Sequence, residues 1–176
     1  MNLRRLTRDE LRDVWSIDRA EVVHNVYSRA GSELVLRPEH HDVKGWPPGE
    51  PERYGPLLLE CFDRGGACFG AFDGEALVGA AVLESRFIGR GGDQLQLKFL
   101  HVGRSHRGAG VGASLFERAV AEARKLGARR LYVSATPSEN TIHFYLRRGC
   151  RPTDDVDARL FALEPEDIHL EFEIPI

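Results

Sequence analysis

The sequence predicts one α/β domain, of the α+β kind, over residues 1–176: a mixed, mostly antiparallel sheet of about six to seven strands flanked by about four helices. Three observations predict it. Apolar residues alternate with period two through 67–72, 76–87 and 95–102, the pattern of half-buried strands. An amphipathic helical pattern at 113–126 separates these from a further strand pattern at 130–135. No repeat, low-complexity tract or linker divides the chain, and 176 residues fit a single core.

Each element has local reasons. Residues 2–6 read as a first strand, and Thr7 then caps a helix over 8–20, with Glu10 at the capping-box spacing. Segments 21–27 and 33–37 carry β-branched and aromatic residues around Ala30-Gly31 and suit a hairpin. Residues 38–51, rich in Pro, Gly and His, read as a loop of the kind that carries substrate contacts. A second helix over 52–62 ends at Gly65-Gly66. Strands 67–72 and 76–87 turn about Asp73-Gly74, a type I′ hairpin signal, and 95–102 follows through a turn at 89–93. Helix 113–126 stops at Gly127, and strand 130–135 follows. Ser138 caps a last helix that ends at Gly149. The tail 167–173 sets Ile168, Leu170 and Phe172 against His169, Glu171 and Glu173, a closing strand.

Composition narrows the function. The apolar share of 42% supports a core, and a net charge of −3 argues against nucleic acid as the partner. The amino-terminal segment lacks an apolar signal, and no apolar run approaches the ~18 residues of a membrane span, so a soluble cytoplasmic protein is expected. Cys61, Cys68 and Cys150 have no metal-ligand spacing and suit reduced thiols. His40-His41-Asp42 has no third ligand at useful spacing and neighbouring side chains diverge, so no metal site is expected there.

The most informative stretch is Arg107-Gly108-Ala109-Gly110-Val111-Gly112, set between strand 95–102 and helix 113–126. Glycines at every second position leave the first helical turn bare, so its amides and the helix dipole can close on a phosphate. No Lys-Ser/Thr pair follows, which excludes an NTPase loop. The dinucleotide fingerprint fits poorly: the third glycine comes one residue early, and Gly127-Ala128-Arg129 stands where an acidic residue is needed. Arg107 is the expected phosphate contact, whereas Arg104, Arg124, Lys125, Arg129 and Arg130 suit a solvated face.

The order Arg-x-x-Gly-x-Gly after a strand resembles the acyl-CoA loop of the GNAT superfamily of N-acetyltransferases. The run from Asn140 through Phe144-Tyr145 to Gly149-Cys150 resembles that family's second signature, with Cys150 where Phe is usual and Ser138 where Asn often stands. Element order agrees over the whole chain, motif detail over 97–150. The resemblance implies the GNAT fold, acetyl-CoA as cosubstrate, no metal, and direct acetyl transfer to a primary amine of a small molecule or peptide. It implies that strands 95–102 and 130–135 splay, with Leu100, His101 and Val102 as backbone contacts to pantetheine. Arg107, Gly108, Ala109, Gly110, Val111 and Gly112 would hold the pyrophosphate, and Ser138 and Asn140 are alternatives for a pantetheine contact. Tyr145 would bind the cosubstrate and protonate the departing thiolate, since a phenol of pKa about 10 lies close to a thiol. A backbone amide near Val102 would polarise the thioester carbonyl. The general base stays open among His101, Glu84, Glu21 and water. Scattered acids such as Glu33, Glu39 and Asp42 suit a cationic amine. A non-catalytic CoA-binding module of the same fold is the rival reading, and exposed edge strands leave a homodimer open.

Overall fold

The computed structural model describes residues 1–175. Seven strands form one sheet in the order β1, β4, β5, β6, β7, β9, β8, and β2 pairs with β3 as a separate hairpin. The chain runs β1 (Asn2–Arg5), a 3-10 helix (Asp9–Ser16), β2 (Glu21–Ala30), β3 (Glu33–Val43), α1 (Glu50–Asp63), β4 (Ala67–Asp73), β5 (Ala76–Ile88) and β6 (Gln94–Val102). A short 3-10 turn (Arg104–His106) leads to α2 (Val111–Lys125), β7 (Arg130–Ala135), α3 (Glu139–Leu146), β8 (Arg151–Pro152), α4 (Ala158–Leu163) and β9 (Ile168–Glu173). Every pairing in the large sheet is antiparallel except β6 with β7. That one parallel pair is what needs the crossover helix α2.

Two cores cover the two sheet faces. On one, Leu83, Leu95 and Leu97 meet Leu115, Phe116 and Ala119 of α2, with Ile142 and Tyr145 of α3. On the other, Val82 and Phe99 meet Leu11, Val14 and Ile17 of the 3-10 segment and Leu58 of α1. The capping box forms as expected: the Thr7 amide donates to Glu10 Oε2 at 2.8 Å, and the Glu10 amide to Thr7 Oγ1 at 3.4 Å. The helix after it does not run to residue 20. Leu11, Val14 and Ile17 recur every third residue, which eclipses them on one face of a 3-10 turn, and Trp46 Nε1 donates to the Ile17 carbonyl at 3.0 Å, holding the chain extended there.

The expected loop at 38–51 is also shorter. β3 continues to Val43, so His40, His41 and Asp42 lie on a strand; Pro38 is tolerated because it pairs with Asn25 beside a register shift in an edge hairpin. β8 and α4 were not anticipated, although Asp157 caps α4 through its side chain to the amides of Arg159 and Leu160, at 2.9 and 3.1 Å.

Candidate active site at the split between β6 and β7

β6 and β7 pair only from Gln94 opposite Arg130 to Gln96 opposite Tyr132. Beyond that register the strands part. β6 stays paired to β5, where the Gly103 amide donates to the Val78 carbonyl at 2.8 Å. By the alternation of an antiparallel ladder, His101 then turns its peptide groups to β5, while Leu100 and Val102 turn theirs to the split. Leu100 and Val102 therefore offer the expected backbone edge, and His101 does not.

A cleft of about 750 Å³ occupies this split, and Leu100, His101, Val102, Arg107, Gly108, Gly110, Gly112, Asn140 and Tyr145 all line it. The carboxyl-side wall is the start of α2. Gly110 caps that helix at φ 83°, Gly108 stands at φ 78°, and a Cβ at either would meet no atom within 4 Å. Among the described residues, the backbone amides from Gly108 to Ala113, Ala109 and Val111 included, donate to no protein acceptor. Gly112 is needed for another reason: a Cβ there would lie 2.9 Å from the Phe144 ring, so the glycine lets α3 close on α2.

Positive charge dominates the rim, with Arg19, Arg104, Arg107, Arg147 and Arg148 against Glu21. Arg147 and Arg148 were not singled out in the sequence; the signal was two basic residues in the last turn of a helix whose Gly149 stop brings them back toward the glycine loop. Arg148 also lies 3.6 Å over the Phe144 ring, and burial pushes its pKa down. Arg107 differs from expectation. Its Nε donates to the Val102 carbonyl at 3.0 Å, and its terminal nitrogens donate to the Ala20 and Arg19 carbonyls at 3.2 and 3.3 Å. The guanidinium thus clasps the entry of β2 to the end of β6, because those carbonyls have no strand partner at that point.

Asn140 is similarly occupied, donating to Glu21 Oε1 at 2.9 Å. Ser138 caps α3 and donates to Thr141 Oγ1 at 2.9 Å. Asn140 still lines the cleft and keeps one N–H and its carbonyl oxygen without a partner among the described residues, whereas Ser138 does not line it. Tyr145 lines the cleft with its hydroxyl unused: it is 5% exposed, no group among the described residues hydrogen-bonds its hydroxyl, and edge contacts from Phe116 and Phe144 hold its ring, at centroid distances of 6.2 and 5.0 Å. Burial first, then the neighbouring Cys150, raises its pKa above the ordinary phenol value. The hydroxyl is protonated throughout the physiological range, and the expected match to a thiol is loosened.

The open question of a base narrows. His101 packs between Trp46 and Phe99, at ring distances of 4.8 and 4.6 Å, and burial with the charges of Arg19 and Arg107 pushes it down to about 3. Glu84 is buried away from the cleft; burial alone would raise its pKa, but the ion pair with Arg64 at 2.6 Å, the Ser85 amide and Lys98 outweigh that and lower it. Asp167, absent from the sequence reading as a site, makes no ion pair among the described residues and accepts from Ser134 Oγ at 2.9 Å. Burial, reinforced by Glu164, raises it to about 6. It lines a second cavity of about 980 Å³ under the β2–β3 hairpin, and Thr136 at the end of β7 lines both spaces. No group of three or more His, Cys, Asp or Glu among the described residues is placed to hold a metal ion, and no described helix is long and apolar enough to cross a membrane.

Solved structures share this fold. The chain is similar to nourseothricin acetyltransferase (22% identity, TM-score 0.71, covering 99% of this chain and 98% of that one). It is similar to a putative streptothricin acetyltransferase from Bacillus anthracis in complex with acetyl coenzyme A (15%, TM-score 0.69, 98% of each chain). PaiA N-acetyltransferase from Thermoplasma acidophilum, in complex with coenzyme A, matches at 16% and a TM-score of 0.61, over 98% of each chain. At these identities the likeness shows the fold. No curated protein sequence matches the chain. The profile of the acetyltransferase (GNAT) family matches residues 24–150, which include the β6–β7 split, the glycine loop and Tyr145. By that match the chain belongs to the GNAT family of acetyltransferases.

Proposed function

We propose that the protein is an acetyl-CoA-dependent N-acetyltransferase that moves an acetyl group directly to a primary amine. The observation that carries this reading is the split itself, which sets a row of free amides at one end and an unengaged phenol at the other. The residues fit the cosubstrate, since bare glycines, the dipole of α2 and Arg147 with Arg148 suit a pyrophosphate. Bound acetyl-CoA supplies an activated acyl group. The chain's own groups do the rest. Leu100 and Val102 offer strand edge to an extended amide-bearing arm, as a sheet accepts an added strand. The Val102 amide polarises a carbonyl, and Tyr145 donates a hydrogen bond where negative charge develops on sulfur.

The acceptor is proposed to be a small-molecule amine, supported by likeness to structures named for nourseothricin and streptothricin. The setting is proposed to be the reducing cytoplasm, supported by three buried free cysteines. Calorimetry of CoA binding tests the site. Gly110→Val forces a β-branched residue to φ 83° and fills open space, so CoA should weaken more than tenfold, about 1.4 kcal/mol. Wild-type affinity in the folded variant would sink the assignment. Thiol release from acetyl-CoA over an amine panel tests the chemistry; tight CoA binding without transfer to any amine selects the non-catalytic module instead.

A further inference from the structure

The second cavity carries polar atoms that the fold leaves unused. His169 is 4% exposed and lines it, and Nε2 of that ring has no partner. The other ring nitrogen is engaged: Nδ1 lies 2.6 Å from the Tyr132 hydroxyl, and the Asp157 amide donates to that same hydroxyl at 3.1 Å. With the hydroxyl accepting from Asp157, its own proton is free for His169 Nδ1, and that arrangement lets every member of the chain be used. Neutral imidazole then carries its hydrogen on Nε2, an orphan donor in a buried ring. On the opposite wall, Ser28 Oγ of β2 is also buried without a partner and lines the same cavity. Buried polar groups are costly to leave unpaired, so the collection of these two in one cavity points to a ligand that satisfies them.

The cavity also has an acid without an ion pair among the described residues and a roof pinned in place. The Tyr27 amide donates to the Pro137 carbonyl at 2.8 Å and Val26 bridges to Ser138, which pins the hairpin over the end of β7. Asp167 lies below, and Thr136 lines both this cavity and the cleft.

We propose that this cavity is the acceptor site and that it selects primary amines rich in oxygen, of the amino sugar or aminoacyl amide class, over alkylamines. Asp167 holds the ammonium end, His169 Nε2–H donates to an acceptor oxygen, and Ser28 Oγ takes a second hydrogen bond from the hairpin side. The proposal rests on the acetyl-transfer reading. In direct transfer the bound ammonium first gives one proton to the Asp167 carboxylate; the neutral amine nitrogen then bonds to the acetyl carbon, the carbon–sulfur bond breaks, and the second amine proton goes with the departing thiolate to make the thiol, so atoms and charge balance. Asp167 makes no ion pair among the described residues and is the carboxylate assigned to the first of these protons, with Glu39, His41 and Glu166 lining the same cavity.

The test uses the CoA-saturated protein with glucosamine and kanamycin as oxygen-bearing probes and cyclohexylamine and cadaverine as alkyl ones, read by calorimetry and by acceptor KM. Wild type should bind the oxygen-bearing amines at least tenfold more tightly. His169→Phe keeps a ring in place and should weaken those amines on the order of tenfold, and Ser28→Ala by several-fold, with CoA affinity unchanged in both. Nitrogen-15 NMR of the His169 imidazole should show the Nε2–H tautomer and a shift on adding kanamycin. Equal binding of both amine classes, or no binding of the oxygen-bearing ones, overturns the proposal. So does unchanged binding of them in both variants. Loss of CoA binding by wild type would instead overturn the acetyl-transfer reading beneath it.

Discussion

Asp167→Asn should stabilise the folded protein at neutral pH. The carboxyl is folded into a half-buried position with Glu164 nearby and no ion-pair partner among the described residues, and its pKa stands near 6 against the ordinary 3.8. The raised value means that the native state binds the proton more tightly than the unfolded chain. Below about pH 3 both states are protonated and no penalty exists; above about pH 6 the native state bears a charge it solvates poorly. The gap corresponds to a cost on the order of 2–3 kcal/mol, fully present at pH 7.5, mostly lost by pH 4 and gone below about pH 3. Asparagine keeps an oxygen for Ser134 Oγ and removes the charge. Urea melts of both proteins from pH 4 to 8 should therefore diverge with rising pH in favour of the variant, while acceptor turnover falls. A variant that is less stable at pH 7.5, or a difference that does not change with pH, would show that Asp167 is compensated by its surroundings and would refute the reasoning.

Two further outcomes follow from the cleft. Tyr145→Phe keeps the ring between Phe116 and Phe144 and removes only the hydroxyl, so CoA affinity should hold while the single-turnover rate of acetyl transfer falls about 10²-fold; an unchanged rate would leave Tyr145 a packing residue. Arg107→Ala removes three hydrogen bonds to carbonyls of Val102, Ala20 and Arg19, so it should lower stability by about 1–3 kcal/mol in a urea melt and weaken CoA only modestly; a large loss of CoA affinity with unaltered stability would restore the phosphate role.

Local signals made much of this fold legible. Gly110 and Gly112 sit where a strand must turn into a helix with its first amides bare, and that need shows in sequence because few other residues meet it. The capping pair Thr7 and Glu10 and the hairpin at Asp73-Gly74 are equally local. What escaped the sequence depends on partners far along the chain. Arg107 carries the same charge whether it faces a phosphate or three carbonyls, and only the path of residues 19–20 decides between them. Asp167 looks like one more acid at the start of a strand until burial removes its water. His169 becomes an orphan donor only because Tyr132, one strand away, and Asp157, ahead of α4, fix its tautomer.

The register of β6 shows why the two sides of the site are so unlike. Val82 pairs with Phe99 and Leu83 with Leu97, so Lys98 is an extra residue in β6, a bulge. A one-residue insertion reverses the facing of every side chain beyond it. Leu95 and Leu97 point to the α2 face, and with unbroken alternation Phe99 and His101 would follow them; after the bulge Leu100 and Val102 take that face, and Phe99 and His101 join Trp46 on the other. The same bulge therefore gives the cleft a small aliphatic wall on the side of the glycine loop and puts an aromatic wall behind it. The cation of Arg19, 5.1 Å over the Trp46 ring and paired with Glu50 at 3.0 Å, rests on that aromatic wall and lines the cleft. Deleting Lys98 would restore the alternation and turn Phe99 and His101 toward the α2 face, so the facing of the residues at the split depends on a single inserted residue.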